Sequence, residues 1–468
     1  MSFVFYDTET TGLNKSFDQV LQFAAILTDD DLKELERVEM RCRLDPHTVP
    51  SAGAFRTTGM TIKHATDVSL PTHYEMMSKL RKRVLAWCPA TFVGWNSIDY
   101  DEHLVRQAFY RCLLPPYLTN TNGNERADIM KLAQCVEAFA PDVLVVPLNA
   151  KGKPSYRLEN LAPANGFANM NAHDAMGDVE ATLFICRLII AKAPSAWGNL
   201  LHCASKSRVL AVLDENPIVL FRDYYSSGGL KEYALTRLGD EPNGIGGVLA
   251  YDLAVDPTQL LAVDDHQLGA RLKKSPKLVR RIRPNAAPFV MAAPAGQSFG
   301  GVAYQTLMER ADFLASRPDV VGRILSMCVR AEDEASEHVE QQIYGGGFPS
   351  QADTARMMSF HAAEWCDRFA IVEQFEDPRY RTLGLRLIHL HCPESLPHDV
   401  RLEQERFVAA RLLGHGHESP PWATLAAMDA EAAAMEQEGD PSHAEMLKDF
   451  RGFISTRMQE AVDVLGVA

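Results

Sequence analysis

The chain has no run approaching the roughly 18 consecutive apolar residues of a membrane-crossing helix. Its N-terminus also lacks the basic, apolar and small-residue series of a secretory signal. These absences predict a protein that stays in the cytoplasm, with no membrane partner. The nine cysteines, among them Cys42, Cys88, Cys112, Cys135 and Cys392, are scattered without any C-x-x-C spacing, which argues against zinc motifs and a disulfide framework and predicts reduced thiols. Positive charge is also scarce. A formal net charge of −14 does not suit a protein that coats nucleic acid nonspecifically, since phosphate neutralisation needs clustered Lys and Arg. It leaves room for a narrow basic groove on an acidic body, because the local field steers a ligand. No internal repeat or low-complexity tail is evident. What remains is ordinary globular composition, 23% charged and 46% hydrophobic over 468 residues, enough for about two to four domains.

Against that background, the stretch from Phe5 to Gly12 (FYDTETTG) is the most informative. Ser2 to Tyr6 reads as a short buried strand, and side chains alternate along a strand, so Asp7 and Glu9 present two carboxylates on one face. Two hard oxygen ligands on one face suit a hydrated divalent cation; the plain alternative is a polar strand end running into a turn. Further apolar runs at Val20 to Thr28 and Arg37 to Leu44 complete a meander. Thr58-Gly59 reads as a turn into a helix, Met76 to Trp87 has helical spacing, and Thr91 to Trp95 reads as a buried strand. Strands that begin to alternate with helices predict an α/β domain.

Two later acidic sites follow. After the strand comes GWNSIDYDE (Gly94 to Glu102), where Asp99 and Asp101 compete: Asp101 follows an aromatic and opens a helical run, and Asp99 sits in the turn. Either could be no more than a helix N-cap. The stretch Asn171 to Leu183 then carries His173 before or at the start of a helix and Asp178 about one turn further on, with Val179, Leu183, Cys186 and Ile189 at helical spacing.

Asp-x-Glu on a first strand, an Asp after a Gly-aromatic-Asn turn and His-x4-Asp on a late helix resemble the DEDDh exonucleases and, within them, the bacterial exodeoxyribonuclease I family. Matching pieces are QFA (from Gln22), TTGMT (from Thr57), GWNSIDYDE (from Gly94), NGNERADI (from Asn122), PSYRLENLAPANG (from Pro154), NAHDAMGDVEAT (from Asn171), IYGGGFPSQAD (from Ile343) and FEDPRYRTLGLRL (from Phe375). The likeness spans nearly the whole chain. It implies a ribonuclease-H-like α/β exonuclease domain over 1–198, an SH3-like β domain over 199–346 and a helical domain over 347–468 that closes over the nuclease cleft. The β-rich reading of the middle region rests on VLAVL, IVLFRDYY and GGVLAYDLAV, and the helical reading of the last on Leu402 to Leu413, Trp422 to Glu438 and Ser442 to Leu465.

The resemblance further implies that Asp7, Glu9, Asp101 and Asp178 are metal ligands and that His173 is the general base; Asp101 is preferred to Asp99 because the family's aspartate follows an aromatic, here Tyr100. Ser97 stands where the family tends to have a second Asn. Four such carboxylates suit two Mg²⁺, with Mn²⁺ as the alternative, roughly 3.5–4 Å apart. A histidine of ordinary pKa, about 6.5, accepts a proton near neutral pH; neighbouring carboxylates raise that pKa and metal ions lower it, and the site is expected to work best at alkaline pH. The implied reaction is 3′-to-5′ hydrolysis of single-stranded DNA to nucleoside 5′-monophosphates in repair and recombination, by a monomer. The rivals are an RNA-directed exonuclease of the same superfamily and an inactive single-strand clamp. Thr8, Trp95, Asn96, Lys153, Ser155, Tyr156 and Arg157 are candidate nucleic-acid contacts, although Trp95 serves a core equally well. The run Arg271 to Arg283 holds seven basic residues, Arg271, Lys273, Lys274, Lys277, Arg280, Arg281 and Arg283, and no acidic one. It reads as a wall of the DNA path, a dock for the acidic tail of single-stranded-DNA-binding protein, or a solvated face.

Overall fold

The apolar run Ser2–Thr10 forms strand β1, and its alternation is fully used. Phe3 and Phe5 point into one buried cluster with Ala24, Ile26, Val93 and Ala127, whereas Val4 and Tyr6 point into the opposite cluster with Phe23, Ala25 and Phe92. Both faces being buried, β1 lies at the centre of a five-stranded sheet ordered β3-β2-β1-β4-β5, with β2 Val20–Thr28, β3 Glu34–Arg41, β4 Ala90–Gly94 and β5 Glu125–Asp128. β1 pairs antiparallel with β2 and parallel with β4, and β2 pairs antiparallel with β3. β3 is one of the two edge strands, and its sequence ELERVEMR keeps charge outward where an unpaired edge would invite association. The computed structural model describes residues 2–168, 174–225, 229–242, 246–329 and 336–466.

The parallel pairs need crossovers, and helices supply them. His73–Trp87 is opened by Thr72 and Glu75, each satisfying the other's backbone N–H in a capping box. It lies with Asp101–Arg111 on the Val4 and Tyr6 face, and Ala175–Lys192 covers the Phe3 and Phe5 face through Val179, Leu183, Cys186 and Ile189. Thr58-Gly59 ends a helix instead of beginning one. Ala52–Thr58 is helical, and Gly59, at φ 66°, is its left-handed C-cap.

The second sheet is antiparallel, ordered β10-β6-β7-β8-β9, with β6 Val219–Tyr225, β7 Gly229–Asp240, β8 Val248–Asp252, β9 Val279–Ile282 and β10 Phe289–Ala292. The expected strand VLAVL is instead part of the helix Lys206–Glu215. Its apolar positions also satisfy i, i+3 and i+4 spacing, and the fold buries Val209 and Leu213, one helical turn apart, against β6 and β8.

Beyond residue 350 the described chain is helical, including His398–Leu413, Leu425–Gln437 and Ala444–Leu465. These helices share one continuous apolar core with the nuclease helices; Phe450 meets Phe55 edge-on at 5.8 Å between ring centroids. Polar ties add to it. Glu340 is buried between Arg386, at 2.6 Å, and Arg411, and the preceding carbonyl of Val339 accepts from Tyr110 Oη at 3.1 Å. Burial pushes the Glu340 carboxyl up, but Arg411 and Arg386 more than offset it and hold it below the usual range. Glu431 accepts from Ser51 Oγ (3.0 Å) and from the N–H groups of Ala52 (3.2 Å) and Gly53 (3.3 Å), so a helix late in the chain caps an early one. Ser51 N–H in turn donates to the carbonyl of Thr11 at 2.8 Å.

Candidate active site

The alternation of β1 sorts the acidic groups. Asp7 and Glu9 continue the face of Phe3 and Phe5, which the helix Ala175–Lys192 covers, and Asp178 in the first turn of that helix meets them. One carboxylate oxygen from each of Asp7, Glu9 and Asp178 lies within 4.8 Å of the others. Thr8 faces the opposite side, where the helix Asp101–Arg111 begins, and its hydroxyl donates to Asp101 Oδ1 at 2.5 Å. Asp101 therefore stands beside the trio at the strand tip, held by Thr8.

Crowding has the expected electrostatic effect. Burial first, then Asp101, Asp178 and Glu9, push the Asp7 carboxyl well above its ordinary value. Glu9 is pushed up to about 9 by burial and by Asp178 and Asp101, with Arg41 opposing. Asp101 is pushed up to about 7 by burial, against the hydrogen bond from Thr8. Buried carboxylates that raise one another in this way are stabilised as anions by a cation among them. An all-oxygen donor set suits Mg²⁺ or Mn²⁺, so these residues fit a divalent metal centre.

Several supporting groups carry no local motif. Glu102, next to Asp101, accepts from Tyr6 Oη (2.8 Å), Thr119 Oγ1 (2.8 Å) and Arg126 (2.9 Å), with Arg106 at 3.4 Å. It thereby locks the residue before Asp7 to the residue after Asp101. Asp174 receives Gln22 Nε2 at 2.9 Å and Arg41 at 2.8 Å, which fixes the start of the Asp178 helix to β2 and β3. In the turn after β4, Gly94 is required because a Cβ there would lie 2.5 Å from that of Ser97. Asn96 adopts φ 57°, and its N–H donates to Asp128 Oδ1 at 3.1 Å.

Asp99, the competitor of Asp101, is an exposed side chain 3.5 Å from Lys131, whereas Asp101 is 3% exposed. His173 lies outside the described residues. Of the candidate nucleic-acid contacts, Thr8 has a buried side chain whose hydroxyl is given to Asp101. Ser155 is also buried, accepting from Asn160 Nδ2 at 3.2 Å. Trp95 packs half-buried on the nuclease core, its indole donating to the Tyr156 carbonyl at 3.0 Å, and the Tyr156 ring meets Tyr224 at 5.0 Å. Lys153 and Arg157 are exposed.

The basic run divides in two. Arg280 lies over the Tyr233 ring at 3.2 Å and 3.6 Å from Asp252, and Arg281 pairs with Glu241 at 2.5 Å, so both are committed within the sheet domain. Arg271, Lys273, Lys274, Lys277 and Arg283 are exposed.

A family model described as Exonuclease matches residues 4–186, and one described as Exonuclease I C-terminal domain matches residues 337–457. Exodeoxyribonuclease I of Escherichia coli is 28% identical over 429 residues, covering 88% of this chain and 89% of the relative. The crystal structure of E. coli exonuclease I with a dA16 oligonucleotide superposes with a TM-score of 0.84 at 24% identity, over 97% of this chain and 99% of that one. An ExoI/SSB-Ct complex superposes with a TM-score of 0.80, again at 24% identity and over 97% and 99% of the two chains. Two family models at opposite ends of the chain, a sequence relative matched over most of its length and a common fold lead to one conclusion: over nearly its whole length the chain is similar to exodeoxyribonuclease I.

Proposed function

We propose that this protein is a 3′-to-5′ exonuclease that degrades single-stranded DNA to nucleoside 5′-monophosphates, acting as a cytoplasmic monomer in DNA repair and recombination. The observation that carries this reading is the convergence of Asp7, Glu9 and Asp178, with Asp101 beside them, at the tip of the central strand. Asp7, Glu9, Asp101 and Asp178 would hold two Mg²⁺, which when bound supply charge neutralisation at the scissile phosphate and a lowered pKa for the attacking water.

The remaining work belongs to the chain's own groups. His173 takes the proton from the attacking water, the role that the resemblance implies for it. Trp95 and Asn96, in the turn after β4, and Tyr156, whose carbonyl accepts from the Trp95 indole, are assigned the terminal nucleotide, with the exposed Lys153 and Arg157 on its phosphates. The family's ExoI/SSB-Ct complex suggests that the acidic tail of single-stranded-DNA-binding protein docks here too. The exposed cations Arg271, Lys273, Lys274, Lys277 and Arg283 are our candidates for that tail or for the DNA path.

The test is a 5′-labelled DNA oligomer, its RNA counterpart and a blunt duplex, each incubated with Mg²⁺ or EDTA and resolved on a sequencing gel. The expected result is a metal-dependent ladder shortening from the unlabelled 3′ end of the single-stranded DNA alone. Early loss of the labelled end, or equal attack on duplex or RNA, overturns the reading.

A further inference from the structure

A second cluster of ligand-bearing side chains lies outside the carboxylate site. We propose that Glu337, His338 and His417 bind one transition-metal ion of the Zn²⁺ class. One ligand atom from each of the three lies within 4.8 Å of the others. His338 Nε2 is 3.5 Å from Glu337 Oε1, and the two imidazole rings stand 5.5 Å apart between centroids. Zinc bonds of about 2.0–2.2 Å place tetrahedral ligand atoms about 3.4 Å apart, so closure asks for small rotations only. The exposed Glu337 side chain can make that adjustment.

The rings are held by their surroundings. Trp422 packs edge-on against both, at 5.1 Å from His338 and 5.0 Å from His417, and its indole donates to the carbonyl of Arg411 at 2.8 Å. His338 N–H donates to Ser336 Oγ at 3.1 Å, and His417 N–H donates to the carbonyl of Gly414 at 3.2 Å. The bend that brings His417 over His338 runs through Gly414 and Gly416 at φ 70° and 84°, a conformation that a side chain would strain.

The donor set determines the ion. Two imidazoles and one carboxylate suit Zn²⁺, Co²⁺, Ni²⁺ or Cu²⁺, and disfavour Mg²⁺, which prefers oxygen alone. Three protein ligands leave one position for water. An aromatic cluster alone would need only the ring contacts with Trp422; it gives no reason for a carboxylate to join two imidazoles at ligand distance. The ion would tie the segment before Val339 to the loop between the helices His398–Leu413 and Leu425–Gln437. That loop also touches the nuclease, because Pro421 accepts from Asn14 Nδ2 at 2.6 Å and Trp422 meets Phe17 at 5.6 Å.

The test uses the full chain without a histidine tag, stripped with chelator, carrying Asp7→Ala and Asp178→Ala to remove the carboxylate cluster. Zn²⁺ titrated calorimetrically should bind with one equivalent, unaffected by millimolar Mg²⁺. Adding His417→Ala or His338→Ala should weaken binding by at least about tenfold, with an unchanged circular dichroism spectrum. Co²⁺ should give a visible absorption band in the parent and lose it in either histidine variant. Binding no tighter than about 1 mM in the parent, or equal affinity after His417→Ala, overturns the proposal.

Discussion

Removing Glu102 should damage both stability and catalysis, although the side chain is not a proposed metal ligand. It is 2% exposed and serves two guanidinium groups, Arg126 and Arg106, whose own side chains are 8% and 10% exposed. Burial pushes its carboxyl up, but Arg126 and Arg106, with the hydroxyls of Thr119 and Tyr6, more than offset this, so it is ionised. Glu102→Ala strands both buried cations and two hydroxyl donors. Breaking a buried pair from one side costs about 3–5 kcal/mol, well above the ~1 kcal/mol upper range of an exposed pair. Urea unfolding followed by tryptophan fluorescence should show that loss. A double-mutant cycle with Arg126→Ala should return a coupling of about 1–3 kcal/mol, because the second change removes a charge that the first leaves unpaired. Tyr6 and Asp101 would also lose their common anchor, and displacement of reacting groups on this scale should lower kcat by about 10–100-fold with little effect on KM. A cost below about 1 kcal/mol, or full kcat in a folded variant, would refute the reasoning.

Asp7→Ala or Asp178→Ala should abolish metal-dependent hydrolysis while raising Tm in metal-free buffer, since each relieves repulsion among crowded carboxylates; substantial Mg²⁺-dependent turnover would sink the ligand assignment. Asp101→Asn should cripple the enzyme and Asp99→Asn should not, as judged by kcat on a single-stranded oligomer, because only Asp101 is buried against Thr8. With Mg²⁺ present to keep Asp7, Glu9 and Asp101 ionised, stability should fall between pH 7 and pH 5. Burial between the nuclease and the C-terminal helices lowers His73 to about 3 and His391 to about 4. Over that window the unfolded chain binds protons that the native one refuses, at about 2 kcal/mol for each histidine by pH 5. Asp45, raised to about 6 by burial, opposes this by about 1.4 kcal/mol. These three groups together cost about 2–3 kcal/mol, and a flat urea midpoint across that range in Mg²⁺ would contradict the reading. Charge reversal at Arg280 and Arg281 should lower Tm by breaking their contacts with Tyr233, Asp252 and Glu241. Reversal at Lys273 and Lys274 should leave Tm unchanged and weaken DNA or tail binding; equal Tm in the two variants would show that the run is not divided as described.

The first strand was legible because its period of two both buries Phe3 and Phe5 and aligns Asp7 with Glu9, so fold and site share one pattern. The late helices were legible for a similar reason, since their apolar spacing matches the faces they bury. VLAVL was not, because five residues satisfy strand and helix alike until tertiary packing chooses Val209 and Leu213. The choice of Asp101 over Asp99 rests on family resemblance; what the fold adds is that Asp101 is buried beside Thr8 and Asp99 is exposed. Groups that hold the site without touching substrate left no local trace. Gln22 and Asp174 are 152 residues apart, and Glu102 and Tyr6 are 96 apart, so neither pair forms a motif at any spacing a reader could scan. The pairing of His338 with His417 is hidden in the same way.

The carboxylate of Glu431 has a consequence in time. It reaches the ribosome exit 380 residues after Ser51, the residue whose hydroxyl it accepts. At about 5–20 residues per second that is a delay of roughly 20–80 s. Throughout that interval the helix Ala52–Thr58 has only water for the N–H groups of Ala52 and Gly53, and Ser51, which holds Thr11 just past the strand of Asp7 and Glu9, lacks one of its two supports. A nascent chain can therefore complete its central sheet long before the loop beside its carboxylates is fixed. Translation itself sets the order in which this nuclease matures.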